Sequence, residues 1–188
     1  IKSEAEKVNI FFKISTNEKF SINKIFFIGD KKIKNSKLLS VISSKPGSWL
    51  SFFSSSTTPS SERIEYDISL LKEYYLSKGY YNAQIASGSI EIINDFSANI
   101  IFTINAGQQF SIKEVNIESN SNFLSDDSTT SIKKISNTLK NKVYNLNLLK
   151  NTQSKISRYI DQNNINASIN YRTKEMDANN LAIFFEIN

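Results

Sequence analysis

An α+β fold, built from two tandem copies of one strand-helix-helix-strand-strand unit, is what this sequence predicts. Three observations carry that reading. First, residues 96–117 alternate apolar and polar at period two on either side of Gly107, which marks two strands with one buried face each. Second, the same phrase occurs earlier: Val8, Ile10, Phe12 and Ile14 lead into Phe20-Ser21-Ile22, which matches Phe110-Ser111-Ile112 letter for letter. Third, the chain finishes on Leu181-Ala182-Ile183-Phe184-Phe185-Glu186-Ile187, the first half of the phrase again. Self-similarity at a fixed period decides architecture before any site is considered.

Taken in order, residues 1–7 are polar, and residues 8–14 read as a strand with no helices before it. They are expected to be the last strand of a preceding repeat, so residues 1–16 belong to that repeat, 17–106 to one unit and 107–188 to another. Residues 20–28 form the next strand, closed by Gly29-Asp30, since Gly accepts positive φ and Asp favours turns. Ile33, Leu38, Leu39, Val41 and Ile42 suit a short amphipathic helix within 31–43, and Pro46-Gly47 breaks the chain. A Ser/Thr-rich loop with Trp49, Leu50, Phe52 and Phe53 follows. Thr58 is positioned to cap the next helix with Pro59 in its first turn. Ile64, Ile68, Leu71 and Tyr75 then make one apolar stripe, and Gly79 stops the helix. Residues 80–93 read as a strand, Asn94-Asp95 as a turn and 96–104 as the returning strand of an antiparallel hairpin.

The second copy repeats the order. Residues 110–118 are its first strand, 131–139 a short helix and 145–162 the long helix, with Leu149, Ile156 and Ile160 inside. Asn166-Ala167-Ser168-Ile169 mirrors Asn82-Ala83-Gln84-Ile85, and Asp177 to Asn180 turns into the last strand. Asn163-Asn164 replaces Lys78-Gly79, and Asn is the next most tolerant residue in a left-handed cap.

The composition of the 188-residue, 21.4 kDa chain suits two small domains. Thirteen Phe and eight Tyr are enough for real cores. The net charge of +5 is compatible with acidic partners but demonstrates none, since heavy use of Asn, Lys, Ile and Ser also follows from an AT-rich genome. With no Cys and no His, disulfides, thiolate metal sites, Cys nucleophiles and His acid–base chemistry are excluded within this chain. No apolar run reaches the ~18 residues of a membrane helix. Glu62, Glu65 and Asp67 read as helix N-terminal charges, and Asp126-Asp127 as a helix start. No Gly-rich phosphate loop appears. Neither catalysis, nor a metal, nor a cofactor is expected.

This order of elements, with Ile28-Gly29-Asp30 closing the first strand and Tyr74-Tyr75-Leu76-Ser77-Lys78-Gly79-Tyr80 closing the long helix, resembles the POTRA domain. Asn105-Ala106-Gly107 stands where that family has a Glu-Gly turn between domains. The chain is similar to the third and fourth POTRA domains in the periplasmic arm of a BamA-type outer-membrane protein assembly factor. The resemblance implies a three-stranded mixed sheet in each unit, covered by two helices on one face. It further implies a Gram-negative periplasm and a C-terminal membrane β-barrel outside this sequence. The implied partners are unfolded outer-membrane proteins and periplasmic lipoproteins, a β-propeller type among them. Another POTRA transporter, for two-partner secretion or autotransporter translocation, is the alternative. A basic module for nucleic acid or membrane surfaces stands further off.

Two candidate sites follow. In such folds the strand after the long helix lies at the sheet edge, here Tyr80, Tyr81, Asn82, Ala83, Gln84, Ile85, Ala86 and Ser87. Its unpaired N–H and C=O groups can add a strand from a partner or client, and no charge or Pro protects residues 80–88. The bland reading is an ordinary exposed edge, with Tyr80 and Ile85 turned inward and Gly88 marking a bulge. The aromatic loop of Trp49, Leu50, Phe52 and Phe53 is either a partner patch or folds over its own sheet. Lys31, Lys32, Lys34 and Lys37 read as a solvated helix start, and without interleaved aromatics they give no platform for nucleic acid. Asn105, Ala106 and Gly107 form the joint between the units.

Overall fold

A computed structural model describes residues 21–47, 58–86, 88–119, 124–177 and 179–188. Its α+β architecture is two sheets, each covered by helices on one face. The expected strand over 8–14 and the loop carrying Trp49, Leu50, Phe52 and Phe53 lie outside the described residues, as does Ser87.

The first unit runs β1 (Ser21–Asp30), α1 (Asn35–Val41), α2 (Ser61–Ser77), β2 (Gln84–Ile85), β3 (Ser89–Asn94) and β4 (Ser97–Asn105). β4 is the centre of the sheet. β1 lies parallel to it on one side, and β2 and β3 lie antiparallel to it on the other, so the layout is a three-stranded mixed sheet with one broken edge strand. Ala98, Ile100, Phe102 and Ile104 alternate along β4 toward the helices and are all buried. They pack with Ile22, Phe27, Leu38, Leu71 and Tyr75, and the Phe27 and Phe102 rings stack at 5.6 Å.

Gly29 does more than end a strand. It lies within β1 opposite Ile104 at φ 88°, and a Cβ there would sit 2.3 Å from the Ile104 carbonyl oxygen, so only glycine allows β1 to close on β4. The long helix also departs from its expected start. Its cap is Ser60, whose hydroxyl accepts the Arg63 N–H, rather than Thr58 with Pro59 in the first turn. Asp67 is no helix-terminal charge. It is fully buried within the apolar stripe, between Ile64 and Leu71. Its carboxylate accepts the Ser43 N–H at 2.6 Å, the Ser43 hydroxyl at 2.7 Å and the Ser44 N–H at 3.2 Å. A carboxylate that takes several donors in this way tolerates burial, and it ties the segment after α1 to α2.

The second unit runs β5 (Ser111–Ser119), α3 (Asp126–Ser136), a 3-10 turn (Asn137–Leu139), α4 (Leu146–Gln162), β6 (Ile169–Glu175) and β7 (Asn180–Ile187). Its sheet order is β5-β7-β6, with β5 parallel and β6 antiparallel to the central β7. The short helix begins earlier than its apolar residues suggest, because Ser125 caps it by accepting the Ser128 N–H. Asn145 caps α4 through the Leu148 N–H at 3.0 Å. Leu181, Ile183, Phe185 and Ile187 form the buried face of β7. On the opposite face Arg172 lies 3.9 Å over the Phe184 ring and pairs with Glu118 and Glu186.

The two units repeat each other bond for bond at their entry. Ser21 N–H donates to Phe96 O and Ser111 N–H to Asn179 O, both at 2.8 Å; Gly47 N–H donates to Ile22 O and Asn141 N–H to Ile112 O, both at 2.7 Å. Ile22 stands opposite Ala98 as Ile112 stands opposite Leu181. The identical Phe-Ser-Ile phrase therefore encodes an identical strand entry.

Candidate functional site

The chain leaving α2 turns over residues 78–83 before any strand begins, and this divides the expected edge strand into parts with different jobs. Gly79, at φ 88°, ends the helix. Tyr80 turns back onto its own unit, where its ring packs edge-on against Tyr75 at 5.7 Å. That agrees with the inward orientation expected for it. Asn82 is exposed in the turn and Ala83 is buried. Tyr80, Tyr81, Asn82 and Ala83 are therefore no part of the sheet edge. Successive Tyr residues suited a strand reading, but the left-handed Gly79 and the Ala83 N–H to Tyr80 O bond fold them into a turn instead.

The edge itself is Gln84–Ile85, Ala86 and then Ser89–Asn94. Gln84 and Ile85 stand opposite Asn105 and Ile104, and the Ala86 N–H donates to Thr103 O at 2.9 Å. In an antiparallel ladder, bonded and non-bonded pairs alternate. With Ala86 bonded inward, the Ile85 N–H and C=O point away from β4. The ladder breaks at Gly88 because α2 presses against it there: a Cβ on Gly88 would meet Ile64 Cγ2 at 2.6 Å and Phe102 Cε1 at 3.2 Å. β3 then resumes from Ser89 opposite Ile101 and pairs with β4 alone, so its outer side carries no ladder partner among the described residues. All six residues of β3 are exposed. Ile90 and Ile92 face the helix side but extend beyond it, 42 % and 71 % exposed, and Glu91 faces the other way, accepting a hydrogen bond from the Asn99 amide at 2.9 Å. The sequence reading carried this strand to Ile93 but named candidate residues one by one only as far as Ser87, and the structure puts most of the paired edge beyond them, at Ser89–Asn94.

The joint is where Tyr81 goes. Its ring packs on the second unit, 5.6 Å from Phe110 and 5.1 Å from Tyr144, and its hydroxyl shares a hydrogen bond with the Thr173 hydroxyl at 2.5 Å. Leu76 also joins the second core. The Gly79 carbonyl accepts the Phe110 N–H at 2.9 Å, and the Lys78 carbonyl accepts the Gln109 amide at 2.9 Å. Lys150 on α4 reaches Glu73 on α2 at 2.9 Å. Gly79 is required by position as well as by φ, since a Cβ would lie 2.5 Å from Val143 Cγ1. Of the expected joint residues, Asn105 is exposed at the end of β4, Ala106 is buried with its N–H donated to Asp30 O, and Gly107 turns at φ 66° with open space around it. The linker turns there, but the contacts that hold the units together come from the turn after α2.

Tyr144 sits between Tyr81 and the second core, and its burial pushes its hydroxyl above the ordinary tyrosine range; Tyr75, which donates to the Lys31 carbonyl, is pushed up to about 12, mainly by burial. These are structural hydroxyls. Among the described residues, no group of three or more acidic, His or Cys side chains converges as metal ligands would. Among the described residues no helix is long and apolar enough to cross a membrane. Lys31 bonds Asn35 and Lys32 pairs with Asp30 at the surface.

Comparison with known proteins places this architecture. The family described as POTRA, surface antigen variable number repeat, matches residues 20–107. The crystal structure of POTRA domains 3–5 of BamA from Haemophilus influenzae superposes with a TM-score of 0.65 over 90 % of this chain at 20 % identity, and this chain covers 66 % of it. BamA from Haemophilus ducreyi lacking POTRA domains 1–3 superposes with a TM-score of 0.60 over 89 % of the chain at 14 % identity, and this chain covers 29 % of it. POTRA domains 1–2 of the periplasmic domain of Omp85 from Anabaena give 0.50 over 90 % of the chain at 15 % identity, covering 94 % of that structure.

Proposed function

We propose, from a chain whose residues 20–107 are a POTRA domain and whose second unit repeats that fold, that this protein is part of the periplasmic arm of an outer-membrane β-barrel assembly machine. In this reading it is a binding scaffold and not an enzyme, with units spanning 17–106 and 107–188 and residues 1–16 belonging to a preceding repeat. It holds periplasmic lipoproteins of the assembly complex, a β-propeller type among them, and unfolded outer-membrane proteins on their way to the membrane barrel.

The observation that carries the reading is the open edge of the first sheet. Strand addition uses the backbone, and the broken strand of Gln84–Ile85 and Ser89–Asn94 presents a row of groups with no ladder partner among the described residues. Main-chain pairing asks for no particular client sequence, which suits a machine that serves many barrel precursors. The turn residues Tyr80, Tyr81, Asn82 and Ala83 hold this edge in place and do not take part in the pairing. Ala86 closes β2.

Photo-crosslinking tests this in cells, with probes at Gln84 and Glu91 in the full-length protein. Crosslinks from both to lipoproteins or to outer-membrane precursors are expected. Silence at both positions, with crosslinks from a probe at Phe52, would move the working surface to the aromatic loop and leave the edge as scaffold.

A further inference from the structure

The bonding direction of each residue on β3 follows from a few hydrogen bonds of its neighbour β4. The Thr103 C=O turns toward this edge to accept the Ala86 N–H, while at the two ends of β4 the Phe96 C=O and the Ala106 N–H turn the other way, to Ser21 and Asp30 of β1. Bonding direction alternates along a strand, so Ile101 and Asn99 also turn toward β3 and hold Ser89 and Glu91, the residues opposite them. Ile90 and Ile92 are left with their N–H and C=O groups pointing out of the sheet. A strand added here bonds to those two residues. Its residues beside Ile90 and Ile92 carry their side chains on the helix side. The residue between them carries its side chain on the opposite, open face, beside Glu91.

Glu91 is held in that place by a relay that crosses the sheet. Its Oε2 accepts the Asn99 amide at 2.9 Å, and the Asn99 Oδ1 accepts the Asn23 amide at 3.0 Å. Both amides are uncharged, so they fix the carboxylate without neutralising it, and no ion pair engages Glu91 among the described residues. Counted from the shared strand entry, Lys113, Ala182 and Lys174 hold the three positions in the second unit. Alanine cannot pass a bond on, and the charge at the edge has the opposite sign. A charge that only guards an edge works from water and needs no anchor. Lys174 is of that kind, and the anchored Glu91 is not.

We infer that Glu91 is a specificity-determining residue of this edge, favouring strands that carry lysine or arginine between two aliphatic residues. The inference rests on strand addition at the same edge and adds a preference to it: main-chain pairing accepts any sequence, and Glu91 grades what is accepted. Opposite charges side by side on neighbouring strands attract, and like charges repel. The chain as a whole carries a net charge of +5, which by itself would favour acidic strands. A preference for basic strands therefore has to come from a local carboxylate.

Short peptides that alternate valine with lysine, glutamate or glutamine test this, titrated into the protein at physiological salt. N-methylated copies, which cannot pair with the backbone, are the controls. The lysine peptide is expected to bind about tenfold more tightly than the glutamate peptide, with glutamine between them. Glu91→Gln should remove the preference, and Glu91→Lys should reverse it. The exposed edge tolerates both, since lysine already stands at this position in the second unit. Equal affinities for the lysine and glutamate peptides, both lost on N-methylation, would overturn the inference and leave strand addition standing. A lysine preference that survives Glu91→Lys would overturn it too, and would assign the selection to another group. Binding that N-methylation leaves intact, or no binding of any peptide, would refute strand addition at this edge and the inference with it.

Discussion

Removing the Tyr81 side chain should destabilise the unit it does not belong to. Tyr81 is in the turn of the first unit, yet its ring contacts Phe110 and Tyr144 and its hydroxyl contacts Thr173, all in the second. Two aromatic pairs contribute ~0.5–1.5 kcal/mol each beyond area burial. The hydrogen bond adds ~1 kcal/mol. Tyr81→Ala should therefore cost the second unit about 3 kcal/mol, while Tyr81→Phe, which keeps the rings, should cost only ~1 kcal/mol. The assay is hydrogen exchange read amide by amide under native conditions. In Tyr81→Ala, amides on β5 and β7 should exchange about a hundredfold faster through global opening of the second unit. Those on β1 and β4 should change little, because the first core is built on Tyr75, Tyr80 and Phe102. Faster exchange confined to the first unit would refute the argument, since Tyr81 would then act as part of its own fold. Unchanged exchange in both would show that the ring contacts add nothing to the joint.

Gly79→Ala should cost ~2 kcal/mol, from the left-handed φ and the 2.5 Å approach to Val143 Cγ1, measured as a lower denaturation midpoint. Asp67→Ala leaves the Ser43 and Ser44 N–H groups without their acceptor and should cost ~2–3 kcal/mol, with Asp67→Asn recovering part of it because an amide oxygen still accepts. Tyr75 and Tyr144 should ionise above the ordinary tyrosine range in a spectrophotometric titration of variants that keep one of them at a time. Their protonated, neutral forms are favoured in the folded state, so the stability they contribute is complete below the ordinary tyrosine pKa of ~10 and is lost as pH rises through the folded values. For Tyr75 that window closes at about 12. Denaturation midpoints that stay flat across that window would contradict this linkage.

The repeat was legible because burial along a strand has to alternate, and Ile100, Phe102 and Ile104 alternate as Ile183, Phe185 and Ile187 do. Gly79 as a stop was legible for a local reason: it frees the backbone within a few residues of itself. What escaped depends on residues far away in sequence. Asp67 looks like a charge near a helix start until Ser43 and Ser44, more than twenty positions earlier, bring it their donors. Tyr81 looks like half of a strand pair until Thr173, 92 residues on, claims its hydroxyl. Gly88 was readable as an irregularity, but its cause, the approach of Ile64 and Phe102, is a packing fact. Local chemistry writes its partners beside it in the chain, and tertiary chemistry does not.

The two sheet edges show why the working surface is proposed on the first unit and not on its repeat. On β6 the chain defends itself. Ser168 and Asn188 exchange both hydrogen bonds, which turns the neighbouring Ile169 carbonyl outward, and Gln153 on α4 donates its amide to that carbonyl at 3.0 Å. Further along, Arg172, Lys174 and Glu175 place charge on the strand, and charged side chains are a usual protection of an edge. The first unit has the same geometry without the protection. The Ile85 backbone groups are turned outward as those of Ile169 are, but the edge that follows is Ser89-Ile90-Glu91-Ile92-Ile93-Asn94, with a single charge that Asn99 engages on the far face. The same fold, used twice in one chain, has one edge closed by its own side chains and one that no side chain closes among the described residues.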